Sequence, residues 1–154
     1  LVLVMNKWDA VEKKLDTMQQ FTSAVRRRLK FLDYAPLVFV SALTGQRLAQ
    51  LLKVAAQVDA ARRQQVSPAA LGEFVQQLRP ERASVPGGRP LRIHSLCQVR
   101  TAPPLFELTA NLDRLYFSLE RFLENALRAR FGFLGTPIRF RLRSAKLPRR
   151  ARRA

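Results

Sequence analysis

Residues 1–9, LVLVMNKWD, and residues 37–45, LVFVSALTG, each run apolar for the length of a strand and then break into polar residues. A continuous apolar run, without alternation, is what a strand buried on both faces requires, and such strands belong to parallel sheets covered by helices. Between the two runs, Phe21, Val25, Leu29 and Leu32 recur at helical spacing from about Asp16 to Phe31, and Pro36 closes that segment. After the second run, Thr44-Gly45 opens a further helix carrying Leu48, Leu51, Leu52, Ala55 and Val58. Residues 1–64 therefore read β-α-β-α, two parallel strands joined by a right-handed crossover. Two strands and two helices are too small a core for a stable doubly wound sheet, so a larger sheet is expected, with this segment as its end.

In such sheets ligands sit beyond the carboxyl ends of the strands, where both polar tips lie. Asp9, acceptor-only when ionised, can take a pair of parallel N–H bonds. The N1–H and N2–H2 edge of guanine presents that pair, and adenine does not. Asn6 can brace the loop or meet the N7 side of the base, and the aliphatic stem of Lys7 can lie along its face. Backbone N–H groups at Ser41, Ala42 and Leu43 are placed to meet the guanine O6. Charge-assisted bonds of this kind are worth roughly 1.5–3 kcal/mol each. A site built on them discriminates by about 10⁴-fold against a base that lacks the donors.

The rest of the chain has another organisation. Ser67-Pro68 is a helix cap followed by proline at the first turn, with Leu71, Phe74, Val75 and Leu78 as the inner stripe. The stretch RPERASVPGGRP reads as a loop. LRIHSLCQV is a strand that sets Ile93, Ser95, Cys97 and Val99 against His94, Leu96 and Gln98, which makes Cys97 a core filler and leaves His94 half-buried. APPLFELTAN is a second strand. A helix from about Ser118 to Arg130 buries Phe122, Leu123, Ala126 and Leu127, and Gly132 supplies its left-handed cap. IRFRLR then alternates cleanly, with Ile138, Phe140 and Leu142 on one face and Arg139, Arg141 and Arg143 on the other.

Charge sets the class of partner. The 154 residues carry a formal net charge of +17, which favours an anionic partner such as nucleic acid. From Thr136 onward there is no carboxylate, and the tail beyond residue 144 adds Arg149 and Arg150 among other basic residues. Three arginines on one strand face repel one another, and contact with phosphates gives that repulsion a purpose. Arg139, Arg141, Arg143, Arg149 and Arg150 are thus candidate nucleic-acid phosphate contacts, which the family resemblance given below makes candidate RNA contacts. Arg26-Arg27-Arg28 reads instead as a solvated helix face. A single cysteine fits a reducing cytosol, and no apolar run reaches transmembrane length. The single histidine leaves no multi-histidine metal site. The absence of an initiator methionine suggests that the chain begins inside something longer.

NKWD resembles the NKxD base-specificity motif of P-loop GTPases, and SAL their last guanine-contacting motif. The stretches YAPLVFVSALTGQR and LYFSLERFLENALRARFGFLGTPIRFRLR are similar to the Der (EngA) family of bacterial GTPases, across nearly the whole chain. The resemblance implies the C-terminal part of a P-loop GTPase doubly wound sheet in residues 1–64. It implies an α+β KH-like domain of order αββαβ in residues 67–144, followed by a basic tail in 145–154. It further implies GTP and GDP as ligands, and assembly of the large ribosomal subunit as the task, with contact to its rRNA, by a cytoplasmic monomer without membrane attachment. The chain holds no GxxxxGK[ST] loop and no Mg²⁺-holding aspartate of the family. These 154 residues alone are therefore expected to be inactive, with Mg²⁺ held upstream. The other reading is a stand-alone, non-enzymatic RNA-binding KH-like module with a vestigial nucleotide loop. Gly132-Phe133-Leu134-Gly135 spells the GxxG of nucleic-acid-binding KH domains. Here it joins a helix to a strand around two apolar residues and reads as a cap and turn.

Overall fold

The computed structural model of the chain describes residues 1–78 and 91–144. They form two compact units, one made of Leu1–Gln64 with Gly132–Pro137, the other of the remaining described residues.

In the first unit, β1 (Leu3–Met5) and β2 (Leu37–Phe39) pair in parallel, with Leu3 opposite Leu37 and Met5 opposite Phe39. Helix α1 (Thr17–Arg28) makes the crossover and α2 (Leu48–Arg63) follows β2. The core gathers on β2, where Val38, Phe39 and Val40 are buried, whereas Val4 on β1 remains 43% exposed. Arg26 is not a solvated side chain. Its guanidinium donates to the carbonyls of Leu32 (2.9 Å) and Ala35 (2.7 Å), closing the turn that leads into β2. Its two acceptors lie in the turn beyond α1, where carbonyls that no helix or strand satisfies need donors.

The segment Gly132–Pro137 belongs to this unit. Gly135 donates its amide to the Tyr34 carbonyl (3.1 Å) and accepts from the Leu1 nitrogen (2.6 Å). Its φ of +66° is in the left-handed region, and a Cβ there would lie 2.5 Å from Val58 Cγ2, so only glycine fits. Gly132, at φ +89°, turns the chain out of the preceding helix.

The second unit runs α3 (Pro68–Gln77), β3 (Ile93–Arg100), β4 (Leu105–Ala110), α4 (Phe117–Phe131), β5 (Arg139–Ser144), the αββαβ order expected of a KH-like domain. The sheet order is β3-β4-β5, with β3 antiparallel and β5 parallel to the central β4. The Ser67 hydroxyl accepts the Ala70 amide (3.2 Å), which starts α3 as the Ser-Pro pair predicts. Leu119, Leu123 and Leu127 of α4 are fully buried with Phe106 and Leu108 of β4, each such side chain contributing roughly 1.5–3 kcal/mol. Phe131 of α4 meets Phe74 of α3, ring centroids 5.6 Å apart.

Strand β3 corrects the sequence reading. Cys97 is exposed rather than a core filler, His94 is exposed rather than half-buried, Val99 is 46% exposed, and Leu96 is the buried residue. The cause is a register shift between Ile93 and Ser95. One extra residue in a strand of period two moves the side chains after it to the opposite face, and a second shift between Gln98 and Arg100 sets Arg100 opposite Leu105 on the outer side.

Candidate functional site

The two polar strand tips of the first unit meet. Trp8 donates its amide to the Val40 carbonyl (3.0 Å), and Val40 donates to Met5 (2.8 Å), so the strand pairing carries on into both loops. The Trp8 ring is 3% exposed, wedged edge-on against Phe21 (5.5 Å between centroids) and against Phe39 (4.4 Å). This aromatic anchor holds the Asn6-Lys7-Trp8-Asp9 loop to α1 and β2. Lys7, at φ +60°, makes the left-handed turn that carries the chain from β1 into it, a conformation costly for a residue with a Cβ.

Around that turn the named residues sort into braces and open groups. The Asn6 side-chain oxygen accepts the Ala42 amide (3.1 Å), tying the first loop to the second. Ser41 is fully buried. Its hydroxyl accepts the Thr44 amide (3.1 Å) and hydrogen-bonds the Asp9 carboxylate, while its own amide donates to Gln46 (3.1 Å). Lys7, Asp9 and Leu43 are exposed at the rim. The Asp9 carboxyl is held below the usual aspartate range, first by the Ser41 hydroxyl, then by its own backbone amide, with Lys13 and Lys7 adding positive charge. Of the three amides in Ser41-Ala42-Leu43, those of Ser41 and Ala42 are engaged inside the protein, and that of Ala42 must be shared or released to meet a base. The tips thus present an ionised acceptor with two oxygens, a lysine stem and the Leu43 amide. That set suits a planar ligand with paired N–H donors and an adjacent acceptor.

The second unit carries the arginine face. Phe140 and Leu142 pair with Phe106 and Leu108 on the inner side, and Arg139, Arg141 and Arg143 are exposed on the outer side. Arg149 and Arg150 lie outside the described residues. The face is not purely basic: Glu107 of β4 stands opposite Arg141. Its Oε2 accepts from both Nε (3.1 Å) and Nη2 of Arg141, and its Oε1 lies 3.5 Å from Nη1 of Arg143. Sequence reasoning missed this carboxylate because the strand alternation shows that it points outward, but not which residue of another strand it faces. The GxxG glycines form no clamp between helices: Gly132 turns the chain at the end of α4, and Gly135 lies in the 132–137 segment that belongs to the first unit. Among the described residues no three His, Cys, Asp or Glu side chains are grouped to hold a metal ion, and no helix is long and apolar enough to cross a membrane.

Residues 65–143 match the family described as KH-domain-like of EngA bacterial GTPase enzymes, C-terminal. The chain is similar to proteins named GTPase Der. That of Leuconostoc mesenteroides is 42% identical over 150 residues, 95% of this chain and 34% of the relative. That of Chloroflexus aggregans is 43% identical over 141 residues, 90% of this chain and 31% of the relative. That of Geobacillus thermodenitrificans is 43% identical over 148 residues, 95% of this chain and 34% of the relative. The chain spans about a third of the length of these relatives.

Proposed function

Since the chain belongs to the Der (EngA) family of bacterial GTPases, we propose that it is the C-terminal part of a GTP-binding protein that serves assembly of the large ribosomal subunit. Residues 1–64 supply the guanine end of the nucleotide pocket and residues 67–144 the KH-like domain that contacts rRNA. The observation that carries the nucleotide part is Asp9: an exposed carboxylate held below the usual aspartate range by the buried Ser41 hydroxyl, at the joined tips of two parallel strands. Two oxygens at that place accept the N1–H and N2–H2 pair of guanine. The Lys7 stem lies along the base, the Leu43 amide, with Ala42 once released, meets O6, and Asn6 and Ser41 hold the two loops together. The phosphate loop and the Mg²⁺ ligands come from upstream residues, and upstream strands and helices extend the β1-β2 sheet and cover Val4.

The RNA part rests on the outer face of β5, with Arg139, Arg141, Arg143 and, in the tail, Arg149 and Arg150 directed at phosphates. The protein works as a monomer in the cytoplasm, and nucleotide state sets the affinity of its KH-like domain for the ribosomal particle.

Base choice in the whole protein tests the nucleotide part. Asp9→Asn loses acceptor bonds to guanine, but its amide donates to the C2 oxygen of xanthine. Binding of xanthosine diphosphate is expected to overtake that of GDP in titrations of the variant. Unchanged nucleotide preference would remove the guanine site from these residues.

A further inference from the structure

We propose that the outer face of the three-stranded sheet is one phosphate-binding surface reaching from Arg100 across to Arg143, and that Glu107 is its built-in counter-ion, displaced when an RNA strand docks. The inference rests on the reading of β5 as an RNA contact and extends it to two residues on other strands.

The register places the groups. On the outer side of the central strand, Leu105 lies between Arg100 of β3 and Arg139 of β5, and Glu107 lies between Cys97 and Arg141. Thr109 lies between Ser95 and Arg143. Arg139, Arg141 and Arg143 recur every second residue, about 6.7 Å apart along the strand, so their guanidinium groups can follow consecutive phosphates of one nucleic-acid strand. Arg100 extends the positive surface to the far edge of the sheet.

Glu107 sits in the middle of this surface. Its side chain is 18% exposed, while those of Arg141 and Arg143 are 60% and 73% exposed. The carboxylate is therefore sunk between two cations that reach water. Without RNA it draws both guanidinium groups over β4 and relieves their mutual repulsion. Because its arginine partners are solvent-exposed, this pair is weak enough to exchange. A lone anion gains too little from Arg141 and Arg143 to replace Glu107. A run of phosphates engaging Arg100, Arg139, Arg141 and Arg143 together can. Glu107 thereby acts as a selectivity residue, holding down attachment to scattered anions while permitting a docked strand.

The test uses the whole protein and a mixed-sequence single-stranded RNA oligonucleotide, with Kd followed across KCl concentration. Thermal melts confirm that each variant is folded. Glu107→Gln keeps the shape and removes the charge. It is expected to tighten binding about two- to fivefold, the range an exposed ion pair commands. It is also expected to steepen the salt dependence by up to about 0.7, because the displaced carboxylate no longer takes up a counter-ion that offsets one released by the phosphates. Arg100→Gln should flatten the dependence by about the same amount. If Arg141→Gln with Arg143→Gln weakens binding while Glu107→Gln leaves affinity and slope unchanged, the counter-ion is overturned and the β5 contact stands. An unchanged slope in Arg100→Gln overturns the extension to β3. If none of the variants moves binding, the inference and the RNA reading of β5 fall together. Equal competition by polyglutamate would assign the face to acidic protein and overturn the proposal.

Discussion

Ser41 shows how much of the proposed guanine-recognition loop is support. Its hydroxyl holds Asp9 on one side and the Thr44 amide on the other, from a fully buried position. A group whose carboxyl is depressed in the folded state delivers its ionised contacts throughout the pH range above the ordinary aspartate value. It loses them only as pH falls through the lowered one. Because Ser41 is the first cause of that lowering, Ser41→Ala should move the acid limb of guanine-nucleotide binding to higher pH. GDP titrations of the whole protein between neutral and acid pH would read it, and an unmoved limb would take Ser41 out of the electrostatics. Sequence reasoning named all the loop residues. It did not divide them into braces (Asn6, Ser41) and open groups (Lys7, Asp9, Leu43), because that division depends on hydrogen bonds between segments 36 residues apart.

At the scale of elements, the turn at 132–137 and the strand β3 carry the information that periodicity does not. Gly135 is locked by a positive φ and by the approach of Val58 and the Leu1 carbonyl oxygen, 2.5 and 2.7 Å from the place of a Cβ. Gly135→Ala should destabilise the chain by about 1–3 kcal/mol through overpacking and left-handed strain, read as a lower urea midpoint at unchanged slope. A midpoint within error of the parent would mean that the turn relaxes freely. The sequence marks Gly132 as a helix cap, which its geometry bears out, but nothing local says that Gly135 must dock on Tyr34 and Leu1. In β3, alternation read straight through LRIHSLCQV puts Cys97 inside. A bulge has no composition signature there, so the reversal at Ile93/Ser95 is decided by pairing with β4.

For the molecule as a whole, charge is the dominant property. With +17 over 154 residues, binding to a polyanion should be strongly salt-dependent. Replacing Arg139, Arg141 and Arg143 together with Glu should weaken attachment of the whole protein to ribosomal particles and flatten its dependence on salt. The expected flattening is about 0.7–0.9 for each phosphate that the variant no longer neutralises. Sedimentation with large subunits across a KCl series measures it, and an unchanged slope would count against the β5 contact. The 154 residues by themselves are expected to release no phosphate from GTP, because they hold neither a phosphate loop nor its lysine. Turnover by the pure chain would overturn the assignment of phosphate chemistry to upstream residues.

Local patterning by itself determined the element order, the parallel β1-β2 pair, the αββαβ unit, the capped start of α3 and the clean division of β5 into an apolar and an arginine face. These follow from short-range rules: side-chain period, caps, and proline and glycine stereochemistry. Tertiary structure alone decided which carboxylate stands among the arginines, which face of β3 is buried, that Arg26 closes a turn, and which loop groups remain open. Each of those depends on strand register or on contacts between residues distant along the chain, and a one-residue slip in register reverses the answer.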